Sequence, residues 1–347
     1  MTEALRFRLP MKPVTVQDIA ESLHISAMTV SRALRNHPEV SEETKRRVLL
    51  RAREMNYRPN RWARSLITRK SFIIGLVLPD ISHTFFSDIA AGVQETIEES
   101  RYSLILCRSN RNAESEVREI DMLIRSRVDG LIVASEQPED SPHLFAQLHR
   151  DTTPFVLIDR VFPKLNCHRV VTNDYEVGRL ATQHLIDLGH RRIAHVRGPA
   201  MSTARQRQQA YQDTLTKASL PVRPEWIVDG NFQMEDSCEA AMQLMRLSSR
   251  PDAIFAASDL SAFGVVAGCR DWGLRVPEDV AVVGAGNIEG RQHPSPFLTT
   301  IDWDRRELGR QAARVLLHLI AGGKQKPRKE TVFPPRLVVR QSSARRG

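Results

Sequence analysis

Between residues 26 and 34 the chain brings together the side-chain types that read a DNA duplex. The run is Ser26-Ala27-Met28-Thr29-Val30-Ser31-Arg32-Ala33-Leu34. Val30, Ala33 and Leu34 share one face at helical spacing and are expected in a core, which leaves Ala27, Met28, Thr29, Ser31 and Arg32 outward or on the flanks. A guanidinium can bond both N7 and O6 of guanine, and methyl-bearing side chains can meet the thymine methyl. Hydroxyls suit phosphate oxygens, which position a protein without specifying sequence. Arg32 is the expected base reader, Ala27 and Met28 the expected thymine contacts, and Thr29 and Ser31 the expected phosphate anchors.

Those residues work only on a frame that presents their helix. Thr15 followed by Asp18 is a capping signal ahead of Ile19, Ala20 and Leu23. A brief His24-Ile25 turn leads to Ser26, a second N-cap. Ser41 caps a third helix with Glu42 and Glu43 in its first turn, where the helix dipole favours them. Val48, Ala52 and Met55 recur on one face of it, and Lys45, Arg46, Arg47, Arg51 and Arg53 are expected on the others. Two helices joined by a tight turn and braced by a third predict a helix-turn-helix whose second helix enters the major groove. The charge agrees: residues 1–70 hold 15 basic and 7 acidic residues, whereas the rest of the chain holds 35 and 34. A basic head on a near-neutral body is the footprint of a polyanion-binding module attached to something else.

Other chemistries find little support. Cys107, Cys167, Cys238 and Cys269 have neither C-x-x-C nor zinc-finger spacing and are expected as small buried hydrophobes. The 11 histidines form no metal motif, so no metal or cofactor is expected. Gly284-x-Gly286-x-x-x-Gly290 is a faint dinucleotide-type fingerprint, but Pro294 and Pro296 follow where the phosphate-binding helix would have to start. With 41% hydrophobic and 26% charged residues the composition is globular. Neither an apolar membrane span nor a secretory leader is visible, so a soluble, cytoplasmic protein is expected. An enzyme and a stand-alone solute-binding protein are the rival readings. Bound nicotinamide cofactor would favour the first, and ligand binding without DNA binding the second.

Pro59-Asn60-Arg61-Trp62-Ala63-Arg64-Ser65-Leu66 opens with a proline suited to a first helical turn. Helices of about two turns are marginal in water, so the segment reads as a basic linker that folds only against a partner. From Ser71 onward, short apolar runs alternate with amphipathic stretches. Phe72–Leu78, Ser103–Cys107, Gly130–Ala134, Pro154–Ile158, Arg192–Val196, Asp252–Ala257 and Val280–Gly284 are strand-like, and Phe86, Ile89, Ala90, Val93 and Ile97 have helical spacing. The alternation predicts parallel α/β sheets, and there are too many units for one sheet of usual size. Two lobes follow, with a ligand expected in the cleft outside the carboxyl ends of their strands.

The chain resembles the lactose-repressor (LacI/GalR) family of bacterial transcription regulators. The resemblance rests on Val14–Ala20, Ile25–Leu34 and Asn56-Tyr57-Arg58-Pro59-Asn60. It continues through Leu76-Val77-Leu78-Pro79-Asp80, Leu157-Ile158-Asp159-Arg160, Leu188-Gly189-His190-Arg191-Arg192-Ile193-Ala194, Ser258-Asp259, Gly273-Leu274-Arg275-Val276-Pro277 and Leu337–Ser342, covering about residues 12–343. It implies an N-terminal all-α helix-turn-helix domain (12–58) with a hinge helix (59–70). An α/β two-lobed effector and dimerisation domain (71–343) follows, similar to the type I periplasmic binding proteins. Its lobes are 71–171 plus 302–331, and 172–301 plus 332–343.

What the resemblance implies for function is a repressor that binds a palindromic operator as a homodimer under the control of a small-molecule effector. Thr15, Val16, Thr29, Ser31 and Arg35 would lie near the DNA backbone, with Ala27, Met28 and Arg32 on bases. In the hinge, Leu66 would wedge into the central base step, Ala63 would allow close approach, and Arg61 and Arg64 would meet phosphates. Phe85, Phe86, Asp159, Arg160, Thr203, Arg207, Phe232, Ser258, Asp259 and Asn287 would form the effector site. Three departures stand out: Gly286 replaces an expected effector-binding Asp, His83-Thr84 replaces Asn-Pro, and Asn173-Asp174 reverses the usual order. Loss of an acceptor at 286 with Arg207 retained points to a sugar acid or other carboxylate rather than a neutral sugar. No leucine heptad follows Ser342, so no tetramerisation tail is expected.

Overall fold

Three hydroxyl side chains start the three N-terminal helices. In the computed structural model, which describes residues 14–57, 70–82, 84–140, 143–288, 296–322 and 329–344, Thr15 caps the helix Val16–Leu23. Its side chain accepts from the Asp18 amide while the Asp18 carboxylate accepts from the Thr15 amide at 2.7 Å. Ser26 caps Ala27–Leu34, accepting from Thr29 N at 3.0 Å, and Ser41 caps Glu42–Glu54. Between the first two helices His24 takes a left-handed φ of 54°, which turns the chain in three residues. Ile19, Ala20, Val30, Ala33, Val40, Val48 and Ala52 form the shared core. Each large aliphatic buried there contributes on the order of 1.5–3 kcal/mol.

Lys45 departs from the sequence expectation. It lies on the same face as Val48 and Ala52, one turn earlier, and is buried. Its aliphatic stem packs inward while Nζ bonds Glu42 Oε1 at 2.7 Å, so a lysine serves as a core residue.

The chain separates into two compact units, Met1–Ser71 and Phe72–Gly347. The second holds two six-stranded sheets. In chain numbering the strands of the first are Ile73–Leu78, Ser103–Arg108, Gly130–Val133, Phe155–Ile158, His168–Thr172 and Glu330–Phe333, all paired in parallel. Those of the second are Ile193–Arg197, Ile227–Asp229, Ala253–Ala256, Ala281–Ala285, Thr299–Asp302 and Arg336–Val338. Only the last is antiparallel, against Thr299–Asp302. Central strands such as Gly130–Val133 and Ala253–Ala256 are buried at every position, as parallel strands covered by helices on both faces must be.

The connections pass from one sheet to the other three times: after Thr172, after Asp302, and between Phe333 and Arg336. The helix Arg305–Ala321 returns to the first sheet and packs against Thr84–Glu99. Glycines set that spacing: a β-carbon on Gly92 would lie 1.9 Å from the Arg306 carbonyl oxygen, and one on Gly309 2.1 Å from that of Ile89. Among the described residues no helix is long and apolar enough to cross a membrane, and no cluster of three or more His, Cys, Asp or Glu is placed to hold a metal.

Candidate nucleic-acid interface and effector cavity

The helix Ala27–Leu34 buries Val30 and Ala33 and turns Met28 and Arg32 outward. Met28 is 60% exposed, a large apolar side chain that no described residue of its own unit covers. Arg32 Nη1 donates to Glu39 Oε2 at 2.8 Å, an ion pair exposed on both sides. Arg35 folds back, Nε to Ser31 O and Nη2 to Ser31 Oγ, both at 3.1 Å. Thr29 Oγ1 lies 2.8 Å from Ser26 Oγ, so the hydroxyls at 26, 29 and 31 all have intramolecular partners. Thr15 is exposed at its cap, while Val16 and Ala27 are half-buried against the three-helix core. Arg61, Ala63 and Leu66, with Trp62 beside them, lie outside the described residues.

In the second unit, loops at the carboxyl ends of strands from both sheets converge on a cavity with about 570 Å³ of atom-free space, part of it open to solvent. Pro79 follows Ile73–Leu78, Arg111 follows Ser103–Arg108, and Asp159 and Arg160 follow Phe155–Ile158. From the second sheet come Phe232, Ser258, Asp259 and Ala285. The N-terminal turns of Thr84–Glu99 and Ser202–Lys217 add Phe85, Phe86, Thr203 and Arg207, and Leu260 and Ile288 complete the wall. This is where the strand-end rule for open α/β sheets places a ligand.

Phe85 and Phe86 meet edge to face with centroids 4.8 Å apart. Arg207 spans the floor, its guanidinium 5.4 Å from the Trp303 ring centre and 6.0 Å from that of Phe232. Its Nε and Nη2 both donate to Asp174 Oδ1, at 2.8 and 2.6 Å, and Nη1 donates to Ala257 O at 2.6 Å. The fork therefore has one edge committed to a buried carboxylate, with one hydrogen left on each terminal nitrogen. Arg160 is likewise matched, Nη2 to Glu136 Oε1 at 2.9 Å, with Nη1 on Ser135 O.

The carboxylates differ in what holds them. Both Asp259 oxygens are occupied, Oδ1 by Thr300 Oγ1 at 2.6 Å and Oδ2 by Ile288 N at 2.8 Å. Burial pushes its pKa up to about 6 against those bonds, and pushes Asp174 up to about 6 against the pull of Arg207. Asp159 sits in a left-handed backbone conformation, φ 68°, and its carboxylate makes no hydrogen bond to any described residue. Its nearest cation is Arg160 Nε at 4.0 Å, and burial raises its pKa.

Nine of the ten residues expected at the effector site line this cavity. Asn287 does not: its side-chain oxygen accepts from Arg340 Nη2 at 2.6 Å and its amide donates to Thr300 Oγ1 at 3.2 Å. A β-carbon on Gly286 would be in ordinary contact, 3.6 Å from Phe85 Cδ2, 3.8 Å from Ile288 Cγ2 and 4.0 Å from Asp259 Oδ2, and the backbone there is left-handed, φ 127°. His83 lies outside the described residues. The sequence reading missed Arg111 altogether. Its position at the carboxyl end of a strand, in the turn-forming run Ser109-Asn110-Arg111-Asn112, was the available signal. The four cysteines are free thiols; Cys107, Cys167 and Cys269 are buried, whereas Cys238 is only half-buried.

A helix-turn-helix unit and a ligand-sized cavity between two α/β layers, in one chain, define the class of DNA-binding regulators that carry their own effector domain. Comparison with known proteins narrows the class to one family. Residues 15–60 match the family model of bacterial regulatory proteins, lacI family. Residues 71–336 match that of periplasmic binding proteins and the sugar binding domain of the LacI family. The HTH-type transcriptional repressor PurR of Actinobacillus pleuropneumoniae serotype 3 is 35% identical over 331 residues, covering 94% of this chain and 98% of its own. A solved Lac repressor dimer bound to operator and the anti-inducer ONPF superposes with a TM-score of 0.85 at 28% identity, covering 96% of this chain and 99% of that one. A complex of the transcriptional regulator CelR with cellobiose gives 0.72 at 29% identity, over 95% of this chain and 100% of that one. The chain belongs to the LacI family of bacterial regulatory proteins. It is a transcription regulator and not an enzyme.

Proposed function

We propose that this protein is a repressor that binds a palindromic operator as a homodimer and changes its grip when a small hydroxylated metabolite enters the cavity. The observation that carries the reading is the pairing, in one chain, of an outward helix bearing Met28 and Arg32 with a cavity walled by Phe85, Phe86 and Phe232 and edged by the unbonded Asp159 carboxylate. Aromatic faces cover the apolar side of a sugar ring, and Asp159 accepts from its hydroxyls. The PurR relatives are named as repressors, and the Lac repressor structure is a dimer on its operator, which supports the same arrangement here. In this reading Arg32 reads guanine, Ala27 and Met28 read thymine methyls, and Thr15, Val16, Thr29, Ser31 and Arg35 hold the backbone. Arg61, Ala63 and Leu66 engage the operator centre. The two lobes are 71–171 plus 302–331 and 172–301 plus 332–343, and the effector acts by changing how they close.

The test is fluorescence anisotropy on a palindromic duplex recovered by binding selection, with dialysed protein and a panel of sugars and sugar derivatives. The expected result is two protomers per duplex and at least one compound that shifts operator affinity by about 5- to 150-fold, the usual range of allosteric coupling. A ligand that fills the cavity without moving operator affinity would contradict the proposed control.

A further inference from the structure

Three guanidinium groups line the cavity, and they are not equivalent. Arg207 faces Asp174 at 2.6 Å and Arg160 faces Glu136 at 2.9 Å, so each has a carboxylate against it. Arg111 has an amide instead. With the Gln233 amide oxygen turned towards it, that oxygen accepts from Arg111 Nε at 3.2 Å and from Nη1 at 3.1 Å. Its ion-pair partner, Asp80 Oδ2, is 3.8 Å from Nη2, beyond hydrogen-bonding reach. A carbonyl dipole holds the guanidinium in place, and the Asp80 carboxylate balances its charge only partly, without taking up its hydrogens. Both hydrogens on Nη2 and one on Nη1 are left for the cavity, an arrangement that suits a bidentate oxyanion.

The backbone supports the same reading. Asn110 and Arg111 are consecutive left-handed residues, φ 55° and 56°, and across the cavity Asn231 and Phe232 are another such pair, at 50° and 57°. Non-glycine residues in that region each cost on the order of a kcal/mol and gather at ligand clamps. Here the two pairs present Arg111 and Phe232 to one cavity, and Gln233, next in chain after Phe232, is the residue that holds Arg111. Gly286, beside Phe85 and Asp259, adds no negative charge.

We propose that Arg111 is the specificity-determining residue of the effector site and that the effector is an anionic polyol, its oxyanion on Arg111 and a hydroxyl on Asp159. This rests on the cavity being the effector site. It also moves the anion-reading role from Arg207, whose charge Asp174 already balances, to Arg111. A sugar acid and a sugar phosphate share this chemistry, and separate arms of the test distinguish them.

The test is calorimetric titration of the full chain with hexonates and hexuronates, with hexose phosphates, and with the neutral parent hexoses. The expected result is that an anionic member binds and its neutral parent binds at least tenfold more weakly. Arg111→Gln should then lose roughly ten- to hundredfold in affinity for the acid, the usual worth of a charged hydrogen-bonded contact, and Arg111→Lys should recover part of it. Whichever anionic arm binds identifies the carboxylate or the phosphate. Neutral hexoses binding as tightly as the anions, binding by no anionic member, or unchanged acid affinity in a folded Arg111→Gln would overturn the proposal. Should the variants fail to fold, the anion-to-neutral ratio of the unaltered protein still decides. Failure of the cavity reading looks different: ligand binding would then persist when Phe232→Trp fills the space, whatever the ligand's charge.

Discussion

Arg32 waits in an exposed ion pair with Glu39, and such pairs are worth roughly 0–1 kcal/mol. Releasing the guanidinium to a guanine edge therefore costs little compared with the contact it makes there. Arg32→Ala should lose about 1–3 kcal/mol of operator binding and relax preference at one base pair per half-site; competition binding against duplexes altered one base pair at a time measures both. An equal loss on every sequence would make Arg32 a phosphate contact. Glu116 is the other residue with a measurable signature. It is fully buried, accepts from Ser135 Oγ at 2.7 Å and from the Glu136 amide, and burial raises its pKa from 4.5 to about 7. Between those values the folded chain keeps a proton that the unfolded chain has released. Its contribution to stability is therefore full below pH 4.5 and lost as pH rises through about 7. Glu116→Gln removes that titration, so its melting temperature should fall less than that of the unaltered protein between about pH 5 and about pH 8. Parallel curves would mean that Glu116 does not titrate there.

At the scale of elements, Thr84–Glu99 and Arg305–Ala321 approach closely in the effector unit, where Gly92 and Gly309 let the two backbones touch. Gly92→Ala places a methyl against the Arg306 carbonyl and should destabilise by about 1–3 kcal/mol, as overpacking does, read by chemical denaturation. A neutral or stabilising result would show that the helices separate freely. The sequence made these elements legible to different depths. Caps at Thr15, Ser26 and Ser41 and the apolar spacing behind them marked all three N-terminal helices, because those signals are local. The seven apolar runs all became strands. Five strands were not among those runs: Ile227–Asp229, Glu330–Phe333 and Arg336–Val338 are three or four residues long and lie at sheet edges, where few positions need be apolar, and the interior strands His168–Thr172 and Thr299–Asp302 mix polar residues with apolar ones. Lys45 was expected on an outward face and Glu116 drew no expectation at all; only tertiary partners reveal that both are buried. Arg111 lay in a polar turn whose importance comes from Gln233, more than a hundred residues later.

For the whole molecule, the chain passes between the sheets three times, so the cavity is assembled from segments far apart in sequence. No local pattern could reveal that assembly, and the resemblance to a family was what pointed to it. The division into Met1–Ser71 and Phe72–Gly347 carries its own consequence. A fragment of the second unit should fold, because it holds both sheets, and should keep ligand binding while losing DNA binding. Limited proteolysis followed by calorimetry and gel shift checks this, and loss of ligand binding would show that the cavity depends on the N-terminal unit. The central claim is that the helix Ala27–Leu34 reads sequence. Its most direct test is selection from random duplex DNA at about 0.15 M salt, run in parallel with the full chain and Arg32→Ala, each with and without the sugar-acid panel. The account predicts a palindromic motif for the full chain and the same motif with one base pair per half-site relaxed for the variant. No enriched sequence under either condition, or identical motifs from both proteins, would contradict it.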